Sequence, residues 1–376
     1  MAVGQVTSST RRTARAATAA SPVRNPELVP DGERGRYIVR TVEELEEWLS
    51  RPRPPLVDDL HRLDGDIVVL GAAGKMGPSL VRLVSRALRE AGSDARVIAV
   101  SRFSQPGSAD PIRAAGAEIH RADLNDDDAI AALPDARNVI FLVGAKFGTA
   151  GDEAATWATN TYLPGRIAQR YAGSRIVALS TGNVYPLTPT GGGGPSEEHP
   201  VDPVGEYAMS CLGRERIFTH FAGVHASPTA LIRLNYAVEP RYGVLVDIAS
   251  QVRAGQPVDV TTGYVNVVWQ RYANEVIVRS LLHADVPPFV LNLTGPETAS
   301  VRDIAHRFAR SFDTVAEFTG AEAPTALLSN GRRCHGIFGY PDVPLDQLID
   351  ITANWIDADL PLLGKPTKFD VRDGQF

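Results

Sequence analysis

Two short segments hold the side chains best suited to proton chemistry, STGNVY at residues 180–185 and EYAMSCLGRER at residues 206–216. Thr181 and Tyr207 bring an alcohol and a phenol, which together could bind one substrate oxygen and exchange a proton with it. A phenol titrates at about pH 10, so it needs a nearby cation to act as a base at neutral pH. Four residues after Tyr207 stands Cys211, which is neutral at its ordinary pKa. Two interpretations are open. Either another residue supplies the cation that Tyr207 needs, or the site carries out no proton transfer.

A second chemical feature is a run of glycines directly after an apolar segment. Gly71, Gly74 and Gly77 lie between DIVVL and the amphipathic segment SLVRLVSRALREAG, with Lys75 and Met76 inside the turn. Glycine permits a tight turn and a close approach of the backbone, and amides at the start of the following helix can bind phosphate oxygens. We therefore predict that these five residues bind a dinucleotide. The alternative is a glycine-rich turn without a ligand.

Residues after the next two predicted strands bear on the choice between NAD and NADP. The segment AVSRF presents Ser101 and Arg102, a small polar residue and a cation that can accept a 2′-phosphate. An NAD site usually presents an acidic residue there for the ribose hydroxyls. The sequence therefore favours NADP slightly over NAD, although Arg102 could equally be a solvated surface residue. Asp123 and Leu124 in RADL are predicted to meet the adenine, and the alternative for Asp123 is a turn or helix cap.

The elements that must position these residues alternate between strands and helices. Strands alternating with amphipathic helices imply parallel pairing and right-handed crossovers. The predicted fold class is therefore α/β, a Rossmann-type doubly wound parallel sheet with a smaller C-terminal substrate-binding portion. Six apolar segments are predicted as strands, namely DIVVL, ARVIAVSRF, AGAEIHRADL, NVIFLVGAKFG, SRIVALSTGNVY and TALIRLNYAV.

The chain divides into four regions by composition. The first holds arginine, serine, threonine and alanine, with no acid in its first 24 residues, which indicates a disordered tail, a transit peptide or a start upstream of the true one. The second contains TVEELEEWLS, with Thr41 and Glu44 at capping-box spacing, followed by the helix-breaking run RPRPP. The predicted regions are a tail at 1–30, a docking helix and linker at 31–60, a dinucleotide-binding domain at 61–235 and a mainly substrate-binding portion at 236–376.

Composition argues against several other classes of protein. A formal net charge of −6 without a basic block argues against nucleic-acid binding. Cys211 and Cys334 are far apart, and no residues have zinc-ligand spacing, so no metal site is predicted. No apolar run approaches the roughly 18 residues that span a bilayer. We therefore expect a cytoplasmic protein without a membrane partner.

Together the motifs resemble the extended short-chain dehydrogenase/reductase family, in the branch of nucleotide-sugar epimerases and dehydratases. The resemblance implies an NAD(P) cofactor and hydride transfer at a hydroxyl or carbonyl of a sugar, nucleotide-sugar or sugar-acid. It also makes a homodimer plausible, through paired helices that include the one after Tyr207. The resemblance covers roughly residues 64–357 and rests on GAAGKMG, ADL, GAK, the Asn160 and Pro164 pair in NTYLPGRIA, STGNVY, YAMSC, RLNYAV and NLTGPETASVRDIA.

The resemblance also implies roles for individual residues. Thr181 takes the position of the family's orienting hydroxyl, with Ser180 as its fallback, and Tyr207 takes that of the acid/base. The family's lysine, which lowers the tyrosine pKa and holds the nicotinamide ribose, is replaced by Cys211. Lys146 in FLVGAKFG resembles the glycine-then-lysine turn of the galactose-epimerase branch. We predict that Lys146 contacts the cofactor and supplies the missing charge, and the alternative is a surface lysine.

The substrate and the reaction are less constrained. Asn183, Asn235 and Arg241, together with Thr181, are predicted to contact the substrate, although Arg241 could equally be solvated. The resemblance ranks dehydration below epimerisation and reduction, because the family's dehydratase branch uses an Asp-Glu pair after the hydroxyl position, and Thr181 is followed by Gly182 and Asn183. The alternative function is a non-catalytic NAD(P)-binding protein, a sensor or partner module that has lost its active-site lysine. Retention of both Thr181 and Tyr207 favours the enzyme.

Overall fold

Strands and helices alternate through the middle of the chain, as the apolar segments predict. The computed structural model describes residues 1–2, 27–31, 34–146, 151–365 and 367–375. Within these residues the strands are β1 (Glu27–Asp31), β2 (Arg34–Ile38), β3 (Ile67–Leu70), β4 (Val97–Ser101), β5 (Glu118–Arg121), β6 (Asn138–Phe141), β7 (Arg175–Thr181), β8 (Thr188–Pro189), β9 (Thr229–Leu234), β10 (Ala237–Val238), β11 (Val258–Asp259), β12 (Tyr264–Val265), β13 (Val268–Trp269), β14 (Phe289–Leu293), β15 (Ala299–Ser300), β16 (Phe318–Thr319) and β17 (Thr325–Ala326).

Most of the longer helices follow strands of the predicted alternation, and a π-helix at Ala158–Tyr162 continues directly into one of them. The α-helices are α1 (Val42–Leu49), α2 (Pro54–Arg62), α3 (Gly77–Glu90), α4 (Asp110–Ala114), α5 (Asp127–Ala131), α6 (Glu153–Trp157), α7 (Leu163–Arg170), α8 (Gly205–His225), α9 (Val244–Arg253), α10 (Gln270–Arg279), α11 (Val301–Ser311), α12 (Arg332–Phe338) and α13 (Leu345–Asp357).

Seven strands form one sheet in the order β14-β9-β7-β6-β3-β4-β5, and each neighbouring pair is parallel. Successive residues of β3 alternate between two hydrophobic clusters, since Ile67 and Val69 belong to one and Val68 and Leu70 to the other. A strand buried on both faces in this way belongs to a sheet covered by helices on both sides. The predicted α/β class and doubly wound parallel sheet are confirmed.

The sheet has one strand more than the sequence analysis predicts. All six predicted segments contribute strands, β3 to β7 and β9, and the seventh is β14. Phe289 and Val290 of β14 are only half-buried, because this edge strand pairs with β9 alone. The segment FVLNL follows two prolines and is interrupted by Asn292, so its pattern is too weak to be recognised as a strand.

The order of the strands reverses next to β3, which lies between β4 and β6. At such a reversal the connections leave in opposite directions and open a crevice at the carboxyl ends of the strands. The backbones approach closely there, because a Cβ atom built on Gly71 would lie 3.1 Å from the backbone nitrogen of Val143. The fold therefore places the segments after β3 and β6 on the two sides of one crevice.

The N-terminal region forms more regular structure than predicted. Thr41 caps α1 by accepting a hydrogen bond from the Glu44 amide at 3.1 Å, and Leu45, Trp48 and Leu49 are buried, as a docking helix requires. The expected linker is a second helix instead, because Pro54 begins α2. Proline suits the first turn of a helix, where its missing N–H would have no partner anyway.

Most of the predicted N-terminal tail lies outside the described residues, which leave out residues 3–26. The last part of that region differs from the prediction, because β1 pairs with β2 in an antiparallel hairpin. Its register aligns Glu27 with Ile38 and Asp31 with Arg34.

The smaller C-terminal portion packs directly on the sheet domain. Helices α9, α11 and α13 contact one another, and their buried residues share one hydrophobic cluster with those of α3. Short strand pairs, β10 with β13 and β12 with β15, complete this portion. Across the described parts of the chain, no helix combines the length and apolar character needed to cross a membrane.

Candidate functional site

A cavity of about 260 Å³ opens at the carboxyl edge of the sheet, between the glycine turn, the end of β7 and the first turns of α8. Its wall also includes residues of the C-terminal portion. The structure therefore brings together most residues that the sequence singled out from separate segments. The predicted site residues that line the cavity are Gly71, Gly74, Lys75, Met76, Gly77, Lys146, Thr181, Asn183, Tyr207 and Asn235.

The glycine turn has the backbone geometry that a bound phosphate needs. Gly71 has φ of +86°, a left-handed conformation that side chains disfavour. A Cβ atom on Gly77 would lie 2.3 Å from the carbonyl oxygen of Ala72, so only glycine allows α3 to start this close to β3. The first turn of α3 carries no acidic residue, which leaves its positive end available to an anion. These observations fit the pyrophosphate of a dinucleotide.

The phenol of Tyr207 lies against Thr181 and Cys211. The Thr181 hydroxyl and the Cys211 thiol both act on the phenol, and they change its pKa in opposite directions. The Thr181 hydroxyl also donates to Asn183 Oδ1 at 2.9 Å. Desolvation raises the pKa of Tyr207 well above its ordinary value, and the neighbouring Cys211 raises it further. A phenol in this state is an acid that requires a cation before it can serve as a base.

Ser180, the fallback for the hydroxyl position, has a different partner. Its Oγ donates to Glu215 Oε1 at 2.6 Å, and Arg233 binds both oxygens of the same carboxylate, at 3.0 and 2.7 Å. All three side chains are buried. Of the two adjacent hydroxyls, Thr181 is the one in contact with Tyr207.

Lys146 reaches the cavity from the turn after β6. Its Nζ donates a hydrogen bond to the carbonyl oxygen of Thr367 at 3.2 Å and lies 5.8 Å from the centre of the Tyr236 ring. Burial lowers the pKa of Lys146 to about 8, although the fields of Cys211 and Asp247 act in the opposite direction. The ammonium group therefore lies inside the site, near Cys211, with a pKa close to neutral.

Lys75 forms a second near-neutral amine in the cavity wall. Its Nζ donates to the carbonyl oxygen of Ala237 at 2.9 Å and lies 4.4 Å from the centre of the Tyr242 ring. Desolvation lowers the pKa of Lys75 to about 7, because the nearby carboxylate of Glu239 compensates only in part. This side chain connects the glycine turn with the C-terminal portion.

Arg214 is a cavity residue that the sequence analysis missed. Its side chain is 5% exposed, and its guanidinium donates to the carbonyl oxygen of Leu179 at 2.7 Å and to Asn160 Oδ1 at 2.7 Å. The signal was present in the sequence, because Arg214 follows Cys211 by three residues and so lies one helical turn further along the same helix.

The C-terminal segment contributes to the site without any motif that would reveal it. The Thr367 hydroxyl donates to Asp247 Oδ2 at 2.5 Å, and Arg372 donates to the carbonyl oxygen of Thr325 at 2.7 Å. Further along, a Cβ atom on Gly374 would lie 2.4 Å from the carbonyl oxygen of Val204, just before α8 begins. This segment therefore packs against the start of the helix that carries Tyr207.

Five predicted site residues lie outside the cavity. Ser101 ends β4, Arg102 is exposed after it, and Asp123 and Leu124 follow β5, on the same edge of the sheet as the glycine turn. Asp123 Oδ1 accepts hydrogen bonds from the backbone and side-chain nitrogens of Asn125, both at 3.0 Å. These four positions suit the adenosine end of a dinucleotide, beyond the cavity.

The fifth residue, Arg241, serves ion pairs instead of facing the cavity. Its guanidinium lies 2.6 Å from Glu46 Oε1 of α1 and 3.1 Å from Glu239 Oε1. These contacts join the docking helix to the C-terminal portion. The side chain was predicted to contact substrate, and the structure places it in this structural role.

Comparison with known proteins places the chain among nucleotide-dependent enzymes. A sequence model described as the NAD dependent epimerase/dehydratase family matches residues 67–264, more than half of the chain. A search of curated proteins finds no match.

Similar solved structures include several sugar-nucleotide epimerases. UDP-glucuronic acid 4-epimerase from Bacillus cereus, in complex with UDP-glucuronic acid and NAD, is 18% identical with a TM-score of 0.64, over 78% of this chain and 99% of that one. UDP-glucose 4-epimerase from Thermotoga maritima, with UDP-glucose, is 16% identical with a TM-score of 0.62, over 78% and 99%. The enzyme from Thermus thermophilus, with NAD, is 18% identical with a TM-score of 0.62, over 77% and 98%. At these identities the likeness concerns the fold.

Proposed function

Because the chain belongs to the NAD-dependent epimerase/dehydratase family, we propose that it is an NAD(P)-dependent epimerase or oxidoreductase. The reacting group is a hydroxyl or carbonyl of a sugar, nucleotide-sugar or sugar-acid. The observation that carries this proposal is that Thr181 and Tyr207 line the same cavity as the glycine turn. A site that only bound a nucleotide would not need this pair.

The glycine turn would hold the cofactor, with the amides at the start of α3 directed at its pyrophosphate. When bound, the nicotinamide accepts a hydride from the substrate carbon and can return it. Ser101 and Arg102 would take the adenosine end and favour a 2′-phosphate, which is why we propose a slight preference for NADP. Relatives of similar fold carry NAD in their structures, so the two cofactors must be compared directly.

The chain's own residues would handle the proton. When the substrate hydroxyl is oxidised, the deprotonated Tyr207 oxygen would take its proton. The Thr181 hydroxyl orients the substrate oxygen. The charge of Lys146 favours the deprotonated form of Tyr207. Tyr207 would give the proton back to the substrate oxygen when the carbonyl is reduced. The face on which the carbon is reduced would decide between the epimer and the starting sugar.

Charge and hydrogen bonding support an anionic, sugar-like substrate. Lys75, Lys146 and Arg214 line the cavity, and none of the described residues that line it is a carboxylate. Asn235 also lines it, is 2% exposed, and its Nδ2 has no hydrogen-bond partner among the described residues. A buried amide of this kind needs an acceptor, and a hydroxyl or phosphate oxygen of the substrate would provide one.

We also propose a homodimer that forms through α8 and its neighbours. Several exposed apolar side chains lie along these helices, with Met209 and Val224 on α8 at 44% and 59% exposure and Tyr162 before α7 at 65%. Solvent-facing apolar residues on paired helices suit a self-complementary interface. Light scattering coupled to gel filtration would distinguish a dimer from a monomer.

A second candidate is a non-catalytic NAD(P)-binding protein. The observation that favours it is Cys211, a buried neutral thiol at the position where the family resemblance implies a lysine. Such a protein would bind the dinucleotide through the glycine turn and leave sugars unchanged.

The deciding experiment identifies the cofactor and then the reaction. The purified protein is denatured, any released dinucleotide is identified by mass spectrometry, and NADH and NADPH are titrated by fluorescence. UDP-glucose and UDP-glucuronic acid are then tested for conversion to their epimers. Tightly held NAD with conversion supports an epimerase, and exchangeable NADPH supports a reductase. Binding without turnover of any sugar supports the second candidate, and no binding overturns both.

A further inference from the structure

We propose that Arg214 gives Tyr207 the fixed positive charge that a lysine at position 211 would otherwise provide. The inference rests on the proposed function and names a positioning residue for the same site. In this chain, the cation has moved one turn along α8. Position 211 has become neutral, and position 214 carries the charge.

The helix geometry places the three side chains on one side of α8. Residues four and three apart lie one above the other on a helix, so Tyr207, Cys211 and Arg214 follow one another along the same face. Cys211 is 1% exposed and Arg214 is 5% exposed. Tyr207 and Arg214 both line the cavity. Arg214 therefore faces the same space as the phenol.

Hydrogen bonds hold the guanidinium in one position. Its Nε donates to the backbone oxygen of Asn160 at 3.2 Å, in addition to the bonds to Leu179 and to the Asn160 side chain. Asn160 is itself fixed, since its amide exchanges two 2.9 Å hydrogen bonds with the backbone of Ala145 and donates to Ser210 Oγ at 3.0 Å. Arg214 on α8 is thus bonded directly to β7, which carries Thr181, and through Asn160 to the turn that carries Lys146.

The charge of Arg214 is not neutralised by a carboxylate. Among the described residues none forms an ion pair with it, and the adjacent Glu215 is engaged by Arg233 at 2.7 Å. All of its described partners are neutral oxygens, which orient the cation and leave its net charge intact. A buried guanidinium in this state projects a positive field into the cavity.

The field acts on both groups at the base of the site. Arg214 lowers the pKa of Tyr207 and that of Cys211, in each case against the larger effect of burial. The other charged or titratable groups that act on Cys211 are Tyr207 and Glu215 of its own helix and Lys146 from the turn after β6. Lys146 has a pKa of about 8 and loses charge above it, whereas a guanidinium stays charged at any working pH. Arg214 is therefore the permanent cation.

Two variants separate this role from a purely structural one. Arg214→Gln removes the charge and keeps hydrogen-bonding capacity, while Cys211→Lys combined with Arg214→Gln returns a cation to position 211. Arg216→Gln is the matched control, because Arg216 lies on the exposed side of the same helix. Circular dichroism and dinucleotide titration establish that each variant is folded.

We expect Arg214→Gln to lower kcat/KM at least about tenfold at neutral pH. Because the variant raises the pKa of Tyr207, the ascending limb of the pH profile, on which Tyr207 becomes a base, should move to higher pH. The double variant should recover most of this loss, and Arg216→Gln should match the wild type. Loss of activity with an unshifted profile and no recovery in the double variant would overturn the proposal. So would a fully active Arg214→Gln protein.

A second readout needs no substrate and so separates this proposal from the proposed function. The chain has two cysteines, so the ¹³Cβ signal of Cys211 can be assigned in [3-¹³C]cysteine-labelled protein with a Cys334→Ala variant. We expect Arg214→Gln to raise the pKa of Cys211 by about one pH unit, while Arg216→Gln leaves it unchanged. An equal Cys211 midpoint in wild type and Arg214→Gln would contradict the proposal that Arg214 acts on this thiol. A shifted midpoint without sugar turnover would leave Arg214 as described and reject only the proposed reaction.

Discussion

Lys146 donates a hydrogen bond to the carbonyl oxygen of Thr367 at 3.2 Å, which joins the turn after β6 to a segment 221 residues later in the sequence. Asp247 fixes the acceptor, because its Oδ2 accepts from the Thr367 amide at 2.8 Å and from the hydroxyl at 2.5 Å. The position and charge of Lys146 therefore depend on α9 and on the C-terminal segment as well as on its own turn.

Replacing Asp247 should change the pH dependence of the site. Asp247 raises the pKa of Lys146, so Asp247→Asn should lower it further below its present value of about 8. We expect the alkaline limb of the kcat/KM profile that belongs to Lys146 to move down by about one pH unit. Lys146→Met should lack that limb, and Asp357→Asn, which removes an exposed carboxylate from α13, should retain the wild-type profile. An unchanged limb in Asp247→Asn would mean that Lys146 does not set it.

Removing the phenol oxygen should separate chemistry from binding. Tyr207→Phe keeps the ring but removes the group that exchanges a proton with the substrate, so kcat/KM should fall on the order of 10²–10⁴-fold. Dinucleotide affinity, measured by fluorescence titration, should stay within about threefold of wild type, since the glycine turn is intact. Tyr171→Phe is the control, because that hydroxyl binds the carbonyl oxygen of Pro134. Full activity in Tyr207→Phe would remove this residue from the mechanism.

Lys75 should destabilise the dinucleotide-free protein in a pH-dependent way. Its pKa falls from 10.5 to about 7 on folding, so the cost of burying the ammonium is complete below pH 7 and fades as the pH rises toward 10.5. Lys75→Met should therefore raise the free energy of unfolding more at about pH 6.5 than at about pH 9, by about 2 kcal/mol.

Denaturant unfolding at the two pH values measures this difference. Lys365→Met, at an exposed lysine, should show almost no pH-dependent gain. An equal gain for Lys75→Met at both pH values would show that Lys75 titrates normally in the folded protein.

Arg102 should decide the cofactor preference. It follows the carboxyl end of β4, which is a neighbour of β3 in the sheet. Its side chain is exposed and can pair with a 2′-phosphate. Arg102→Ala should weaken NADPH binding by about tenfold and leave NADH binding unchanged, the loss expected for one charge-assisted contact. Arg113→Ala, at an exposed arginine of α4 paired with Asp110, is the matched control. Equal loss for both cofactors, or none, would refute the preference for NADP.

The sequence predicts the sheet well where local patterns are strong. Buried four-residue strands such as β3 and β6 alternate with amphipathic helices, and this alternation is enough to specify parallel order. Segments with mixed signals are harder to predict. The proline run before α2 predicts a break, although Pro54 can begin a helix, and the pattern of β14 is weakened by the polar Asn292 and by its half-exposed first residues.

Site residues in local motifs can likewise be predicted from the sequence, whereas those brought in by long-range packing cannot. Gly71, Thr181 and Tyr207 sit in local motifs at strand ends and helix starts, so the sequence alone brings them to one edge of the sheet. Thr367 belongs to no motif and reaches the cavity only through long-range packing. Arg241 is predicted to contact the substrate but lies outside the cavity. Its partner Glu46 lies 195 residues earlier, and no local pattern predicts that ion pair.

The contact between Gly205 and Gly374 limits how far α8, and with it Tyr207, can move along the helix axis. Neither glycine has a side chain, so the backbones touch directly, and a Cβ atom on Gly205 would lie 2.7 Å from the carbonyl oxygen of Gly374. Backbone contacts have no rotamers through which to relax, so α8 cannot advance along its axis toward this segment unless the segment moves too. Tyr207 lies two residues after Gly205 in α8. Its position in the crevice therefore depends on the segment around Gly374 as well as on the loop before the helix.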